Sequence, residues 1–269
     1  MSSGFFLPVR SGQRFCLYHP GSPDGPAIVY AHPFCEEMNK SRRMAALQSR
    51  RFAAAGCAVL QIDLFGCGDS SGDFLDARWE TWKDDLRTAI AWLRPRARGP
   101  LGLWGLRLGA TLAADVARDP GLGVDHLVLW QPVASGELLI TQFLRLRLAA
   151  EMLADGAAQS GVRGLRESLR AGAAQEIGGY DLHPELAAEI DALRLAELAP
   201  AARQVHCLEV SGADPKLTPA TQRAMDAWRA KGLSVRAVAV EGEPFWSTLE
   251  ITECEALLDA TSASVASVQ

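Results

Sequence analysis

The sequence predicts an α/β fold: a mostly parallel sheet with helices on both faces and a helical cap insertion. Three observations lead there. Short apolar runs alternate with helical stretches along most of the 269 residues, the pattern of a parallel sheet covered on both sides. A strand, a glycine-flanked turn and a small-residue helix follow one another across residues 100–117. The alternation then stops over about 137–204, which is rich in Ala, Leu, Arg and Glu, and afterwards resumes. The expected layout is therefore a core of residues 1–136 and 205–269, with 137–204 as the insertion.

Residues 4–18 alternate in polarity and predict an antiparallel hairpin. Ala27 to His32 predicts a strand ending at Pro33. Ser41 to Ala55 predicts a helix closed by Gly56, and Cys57 to Asp63 the next strand. Trp79 to Leu93 predicts a helix ending before Pro95. Leu101 to Trp104 is a strand, Ala110 to Ala117 a helix, and His126 to Trp130 a further strand. Within the insertion, Leu138, Leu139, Phe143, Leu146 and Met152 have helical spacing. Strands are expected again at Val205–Val210 and Val235–Val240. A last helix is expected over Thr248–Ala260, followed by a frayed polar tail, 261–269.

A hydrophobic content of 48% supports a sizeable core, and a net charge of −5 gives no general attraction to nucleic acid or anionic lipid. The six cysteines are scattered, with no C-x-x-C, and most sit in apolar stretches. Reduced core thiols in a cytoplasmic protein are expected. Met1 to Pro8 lacks the features of a signal peptide. No apolar run approaches the roughly 18 residues of a membrane span. No metal or cofactor signature is read. The tryptophans 79, 82, 92, 104, 130 and 228 sit on apolar faces and are expected in the core. Arg145 and Arg147 are expected on a solvated face.

Gly105-Leu106-Arg107-Leu108-Gly109 lies between the strand at Leu101–Trp104 and the helix at Ala110–Ala117. This is the setting of the G-x-S-x-G elbow, in which a strained turn projects a serine above a parallel sheet. Here Arg107 holds the serine's place, and a guanidinium, never deprotonated in a protein, cannot attack a carbonyl. Asp63 to Gly72 resembles the loop that precedes the elbow helix in α/β-hydrolases, so nearly the whole chain resembles that superfamily. A narrower resemblance rests on His32-Pro33-Phe34-Cys35-Glu36-Glu37-Met38-Asn39-Lys40-Ser41-Arg42-Arg43, Gly105 to Ala110 and Pro244-Phe245-Trp246. These segments resemble the exosortase A system-associated hydrolases, type 2. The resemblance implies a hydrolase linked to bacterial exopolysaccharide production and PEP-CTERM protein sorting.

Chain order in the superfamily is nucleophile, acid, histidine. Asp214 stands after a strand, where the acid belongs, and is equally good turn chemistry. Glu243 or Pro244 occupies the histidine's place. The last histidine, His206, falls at the start of its strand, the wrong end of the sheet. Gly68-Asp69-Ser70-Ser71-Gly72 also matches G-x-S-x-G, but no small-residue helix follows it, so Ser70 reads as a loop brace. His32 is a loop brace or a base. Leu108 follows the elbow position and supplies an oxyanion-type N–H; Pro33 cannot, leaving Phe34 or Cys35 as the second donor. Glu36, Glu37, Glu243 and Asp214 are candidates to pair with Arg107, and Trp246 to line a pocket.

Arg107 has two readings: internal replacement of the catalytic centre by an ion pair, or an anion site at a helix N-terminus. The functional expectation is a protein lacking a Ser-His-Asp triad that binds a small molecule, a carboxylate, phosphate or acyl compound, above the elbow. Any hydrolysis would use water activated by Asp214 or Glu243. The other reading is a non-catalytic interaction module. A pocket lined by Arg107, His32 and Trp246 favours the first; a site filled by its own side chains favours the second.

Overall fold

The computed structural model describes residues 2–155 and 161–266. The elements before the insertion are β1 (Ser3–Val9), β2 (Gly12–His19), β3 (Ala27–Ala31), α1 (Glu36–Ala54), β4 (Ala58–Ile62), α2 (Trp79–Leu93), β5 (Leu101–Leu106), α3 (Leu108–Val116) and β6 (His126–Trp130). Next come α4 (Gly136–Asp155), α5 (Val162–Arg170), β7 (Gln175–Ile177), β8 (Tyr180–Leu182) and α6 (Pro184–Asp191). The chain returns to the sheet with β9 (Gln204–Ser211), α7 (Pro219–Ala230), β10 (Ser234–Glu241) and α8 (Glu255–Ala266).

The main sheet has eight strands in the order β1-β2-β4-β3-β5-β6-β9-β10. β1 and β2 form the antiparallel hairpin, β2 joins β4 antiparallel, and the strands from β4 to β10 run parallel. β3, β5 and β6 are buried along their whole length. That explains their unbroken apolar runs, since a parallel sheet is covered on both faces. Alternate residues feed two cores. Val29, Leu60, Leu103 and Leu127 pack with residues of α2, α3 and α7. Ile28, Val59, Trp104 and Val128 pack with Met44 and Phe52 of α1 and Leu257 and Leu258 of α8. Five of the expected core tryptophans are buried, whereas Trp92 is half-buried and stacks on Phe5. All six cysteines are buried free thiols.

Five expectations change. The helix expected from Ser41 begins at Glu36. Ser41 lies within it, and its hydroxyl donates back to the carbonyls of Glu37 and Met38. The helix expected from Thr248 begins at Glu255, because Thr248 and Ser247 bond back to Phe245 and Pro244 and close a turn first. That helix runs to Ala266, so residues 261–266 are not frayed, and 267–269 lie outside the described residues. Trp130 holds it there by donating from Nε1 to the Thr261 hydroxyl at 2.8 Å. The stretch after β6 is not wholly helical, since β7 and β8 form a hairpin at Gly178-Gly179, both with positive φ (58° and 84°). Such a turn needs φ > 0 twice, which Gly-Gly supplies. Finally, Arg147 is half-buried, bonded to Glu151 and Gln175, whereas Arg145 is exposed.

Candidate functional site

The chain order reverses direction between β3 and β5. From β3 it steps to β4 on one side, then crosses to β5 on the other. In open α/β sheets ligands settle in the crevice outside the carboxyl ends at such a point. The backbone is also strained there. Among the described residues, the non-glycine residues with positive φ are Cys35, Arg107, Gln131 and Asp214. They follow β3, β5, β6 and β9 respectively. Strain of this kind persists only where the surroundings over-determine it.

Arg107 caps α3 at φ 56°, ψ −121°. Its N–H donates to the Trp130 carbonyl at 2.9 Å, and its own carbonyl accepts from Ala110 at 3.1 Å. The flanking glycines allow the turn. A Cβ on Gly105 would lie 2.4 Å from the Gly109 carbonyl oxygen. One on Gly109 would lie 2.3 Å from the carbonyl oxygens of Ala31 and His32. Strand, turn and helix therefore approach too closely for any side chain at either position.

The guanidinium is mostly buried. Its Nε donates to Glu37 Oε1 at 3.1 Å, the side chains being 18% and 21% exposed. Neither Nη1 nor Nη2 bonds to any described residue. Glu37 Oε2 is buried and also lacks a partner among them. Burial pushes the Glu37 carboxyl above its ordinary range, and Arg107 pulls only part of the way back. The guanidinium carbon stands 5.6 Å from the centre of the Trp246 ring, a cation–π distance. Trp246 packs on Phe245, Phe245 on Trp130, and Trp130 on Trp104, so a row of aromatic rings across the sheet sets its position.

Above this group is a cavity of about 360 Å³. Arg107, Glu37, Lys40, Cys35, Phe34 and Trp246 line it, with Glu36 and Ser247. Its far wall is one face of α4: Leu139, Gln142, Phe143 and Leu146. Their spacing is that of successive turns. Glu36 is exposed and accepts from Asn39. Lys40 is half-buried and has no ion-pair partner among the described residues. A second cavity of about 10 Å³ lies among His32, Phe34, Leu108 and Gly109, room for about one water. The N–H groups of Phe34 and Leu108 donate to no described residue. Leu108 lines the small cavity and not the large one.

His32 is the brace of the two alternatives. Its Nε2 accepts from the Leu64 N–H at 3.1 Å. Nδ1 therefore carries the proton and donates to the Pro33 carbonyl at 2.7 Å. Burial lowers its pKa, so the ring stays neutral. With both nitrogens committed, it does not line the cavity at Arg107. Ser70 is likewise engaged on both sides. Its hydroxyl donates to the Asp63 carbonyl and accepts from the Phe15 N–H.

Asp214 and Glu243 do not reach the cavity. Asp214 is 80% exposed and pairs with Lys216, and Glu243 is exposed. The strand-end positions expected for an acid and a base face water, because the turns after β9 and β10 carry them outward. The buried carboxylate near that end of β9 is Glu209, which accepts from the Thr218 N–H and the Thr218 and Thr221 hydroxyls and holds the start of α7. His206 is buried in β9 with both ring nitrogens unbonded among the described residues.

Sequence reasoning missed Lys40 and the α4 wall as site components. Starting α1 at Ser41 hid the fact that Glu36, Glu37 and Lys40 share its first turns, where residues three and four apart meet. The α4 spacing was visible, but not which element it would face.

This sheet order, with a strained strand–helix elbow at the switch point and an inserted segment over it, defines an α/β-hydrolase. Residues 23–208 match the family described as serine aminopeptidase, S33, and the chain belongs to it. Est1E from Butyrivibrio proteoclasticus, solved with ferulic acid bound, superposes with a TM-score of 0.74 at 13% identity, over 98% of each chain. Mouse alpha/beta hydrolase domain-containing protein 10 gives 0.62 at 17%, over 99% of this chain and 100% of that one. Proline iminopeptidase from Mycobacterium smegmatis gives 0.61 at 14%, over 98% of each. At these identities the likeness is one of fold. No curated protein sequence matches the chain. Among the described residues no helix is long and apolar enough to cross a membrane.

Proposed function

We propose that this chain is a triad-deficient member of its family that binds an anionic or acyl-bearing small molecule in the cavity at Arg107. One observation carries the reading. The elbow residue is a guanidinium with a free Nη1/Nη2 fork at the edge of a cavity of about 360 Å³. Carboxylate and phosphate match that fork geometrically, and the N-terminus of α3 adds partial positive charge. The Phe34 and Leu108 N–H groups, which donate to no described residue, support a pair of oxyanion-type donors without a nucleophile between them. If any hydrolysis occurs, the carboxylate for water activation is Glu37, which lines the cavity, rather than Asp214 or Glu243. Est1E, solved with ferulic acid bound, lends support for a small organic acid in this fold. The link to exosortase and exopolysaccharide metabolism rests on the resemblance of the His32–Arg43, Gly105–Ala110 and Pro244–Trp246 segments. The second reading, an interaction module without turnover, is favoured by the Glu37 carboxylate already on Nε.

A thermal-shift series with phosphate, acetate and longer carboxylates, on wild type and Arg107→Ala, tests the proposal. Wild type should gain stability with added anion, by mass action on the folded state, and Arg107→Ala should not. An identical anion response in the two proteins refutes it.

A further inference from the structure

We propose that the ligand is a monoanionic amphiphile: a carboxylate with a hydrogen-bond donor close to it and a short apolar tail. This deepens the anion-binding reading and rests on it. Three features of the cavity set the class.

The first is charge. Arg107 and Lys40 line the cavity as cations and Glu37 as its mostly buried anion; Glu36, also on the lining, is exposed and accepts from Asn39, so water screens its charge. Among the lining groups withdrawn from water, two positive groups against one negative group leave room for a single further negative charge. A phosphate monoester, near two negative charges at neutral pH, overfills it.

The second is the pattern of donors and acceptors. Glu37 meets Arg107 through one oxygen only, which leaves the Nη donors free on one side and the Oε2 acceptor unpartnered beside them. A simple carboxylate satisfies the fork and leaves Oε2 buried without a partner, which is costly. A hydroxyl or amide N–H next to the carboxylate satisfies both at once.

The third is shape. The remaining wall is apolar, and its exposure rises along α4 from Leu139 (6%) and Phe143 (8%) to Leu146 (60%). The head group sits at Arg107, and the tail runs along Phe143 to the mouth at Leu146. The volume is near the lower end for small-molecule sites.

Isothermal titration of the full chain with octanoate, 2-hydroxyoctanoate and octyl phosphate tests this, using wild type, Glu37→Gln and Lys40→Gln. Wild type should bind 2-hydroxyoctanoate about tenfold more tightly than octanoate and octyl phosphate most weakly. Glu37→Gln should bring the two carboxylates level, and Lys40→Gln should weaken both alike. Equal binding of the two carboxylates by wild type overturns the donor assignment, and tightest binding of octyl phosphate overturns the charge assignment. In both cases anion binding at Arg107 stands. If none of the three binds, the anion-binding reading fails with it.

Discussion

Arg107 sits in a conformation that serine normally occupies, and the turn does not need serine to exist. Its φ of 56° is held by the Trp130 carbonyl, the Ala110 N–H and the two glycines. Replacing the side chain should leave the turn intact. We expect Arg107→Ser to show no rise in p-nitrophenyl butyrate turnover over wild type. A serine there lacks a base, because His32 is committed at both nitrogens and no histidine follows His206 in the sequence. A clear gain in turnover would reveal a base elsewhere. For the same reason wild type should resist fluorophosphonate probes, read as intact mass. A stoichiometric adduct on Ser70 or any other serine would sink the triad-deficient reading. The ion pair has a structural share too. Arg107→Ala leaves the mostly buried Glu37 without its ion-pair partner, and should cost up to about 3–5 kcal/mol if its carboxylate stays charged, less if it takes up a proton or if Lys40 turns to it. Chemical denaturation measures the difference.

The N-terminal hairpin joins the body through the pairing of β2 with β4 and through one buried ion pair. β2 is tied to α2 by Arg14 Nε and Asp85 Oδ1 at 2.7 Å, with side chains 1% and 4% exposed. The other Asp85 oxygen accepts the Phe65 N–H, which fixes the loop after β4. Removing one partner strands a buried charge. Asp85→Ala should therefore destabilise the fold by about 3–5 kcal/mol, and the urea midpoint shift tests it. A second element-scale expectation concerns the join of β3, β5 and α3. Gly109→Ala drives a methyl onto two carbonyl oxygens, and should lose about 1–3 kcal/mol as overpacking does. An unchanged midpoint would mean that α3 can shift away from β3.

Over the whole molecule, burial sets the response to pH. His19, His32, His126 and His206 all have pKa values lowered by burial, His126 to about 4. Below the unfolded value of about 6.5, the unfolded chain takes up protons that the folded one refuses. Stability is then lost as pH falls through 6.5 toward each folded value. His126 alone accounts for roughly 3 kcal/mol of that. Asp85 acts in the opposite sense. Burial lifts it from 3.8 to about 6, against the pull of Arg14, so its contribution is lost as pH rises through that interval. Glu37, also raised by burial, acts in the same sense as Asp85, and four histidines against these two carboxyls give a net fall in melting temperature from pH 7 to pH 4.5, shallower in His126→Leu. A flat wild-type profile would contradict this.

Much of the fold was legible because it follows from local pattern. The buried strands β3, β5 and β6 read as apolar runs, and α2 was bounded by its own residues from Trp79 to Leu93. The elbow was legible from two glycines and their surroundings. Lost from view was whatever depends on which surface a segment meets. Ser41 looked like the start of a helix, yet it lies inside α1 and its hydroxyl turns back to the Glu37 carbonyl. Thr261 looked like tail, yet Trp130 bonds it. Asp214 and Glu243 stood at the right places in chain order and point to water, while Glu37, 70 residues before Arg107 in sequence, is the carboxylate that meets it. The sequence by itself determined the parallel sheet, the strained turn and the positive charge at its tip, because periodicity, glycine and residue type are local properties. The partner of that charge, the cavity above it and the commitment of His32 were decided only by tertiary structure, because they depend on distances between segments that no local pattern encodes.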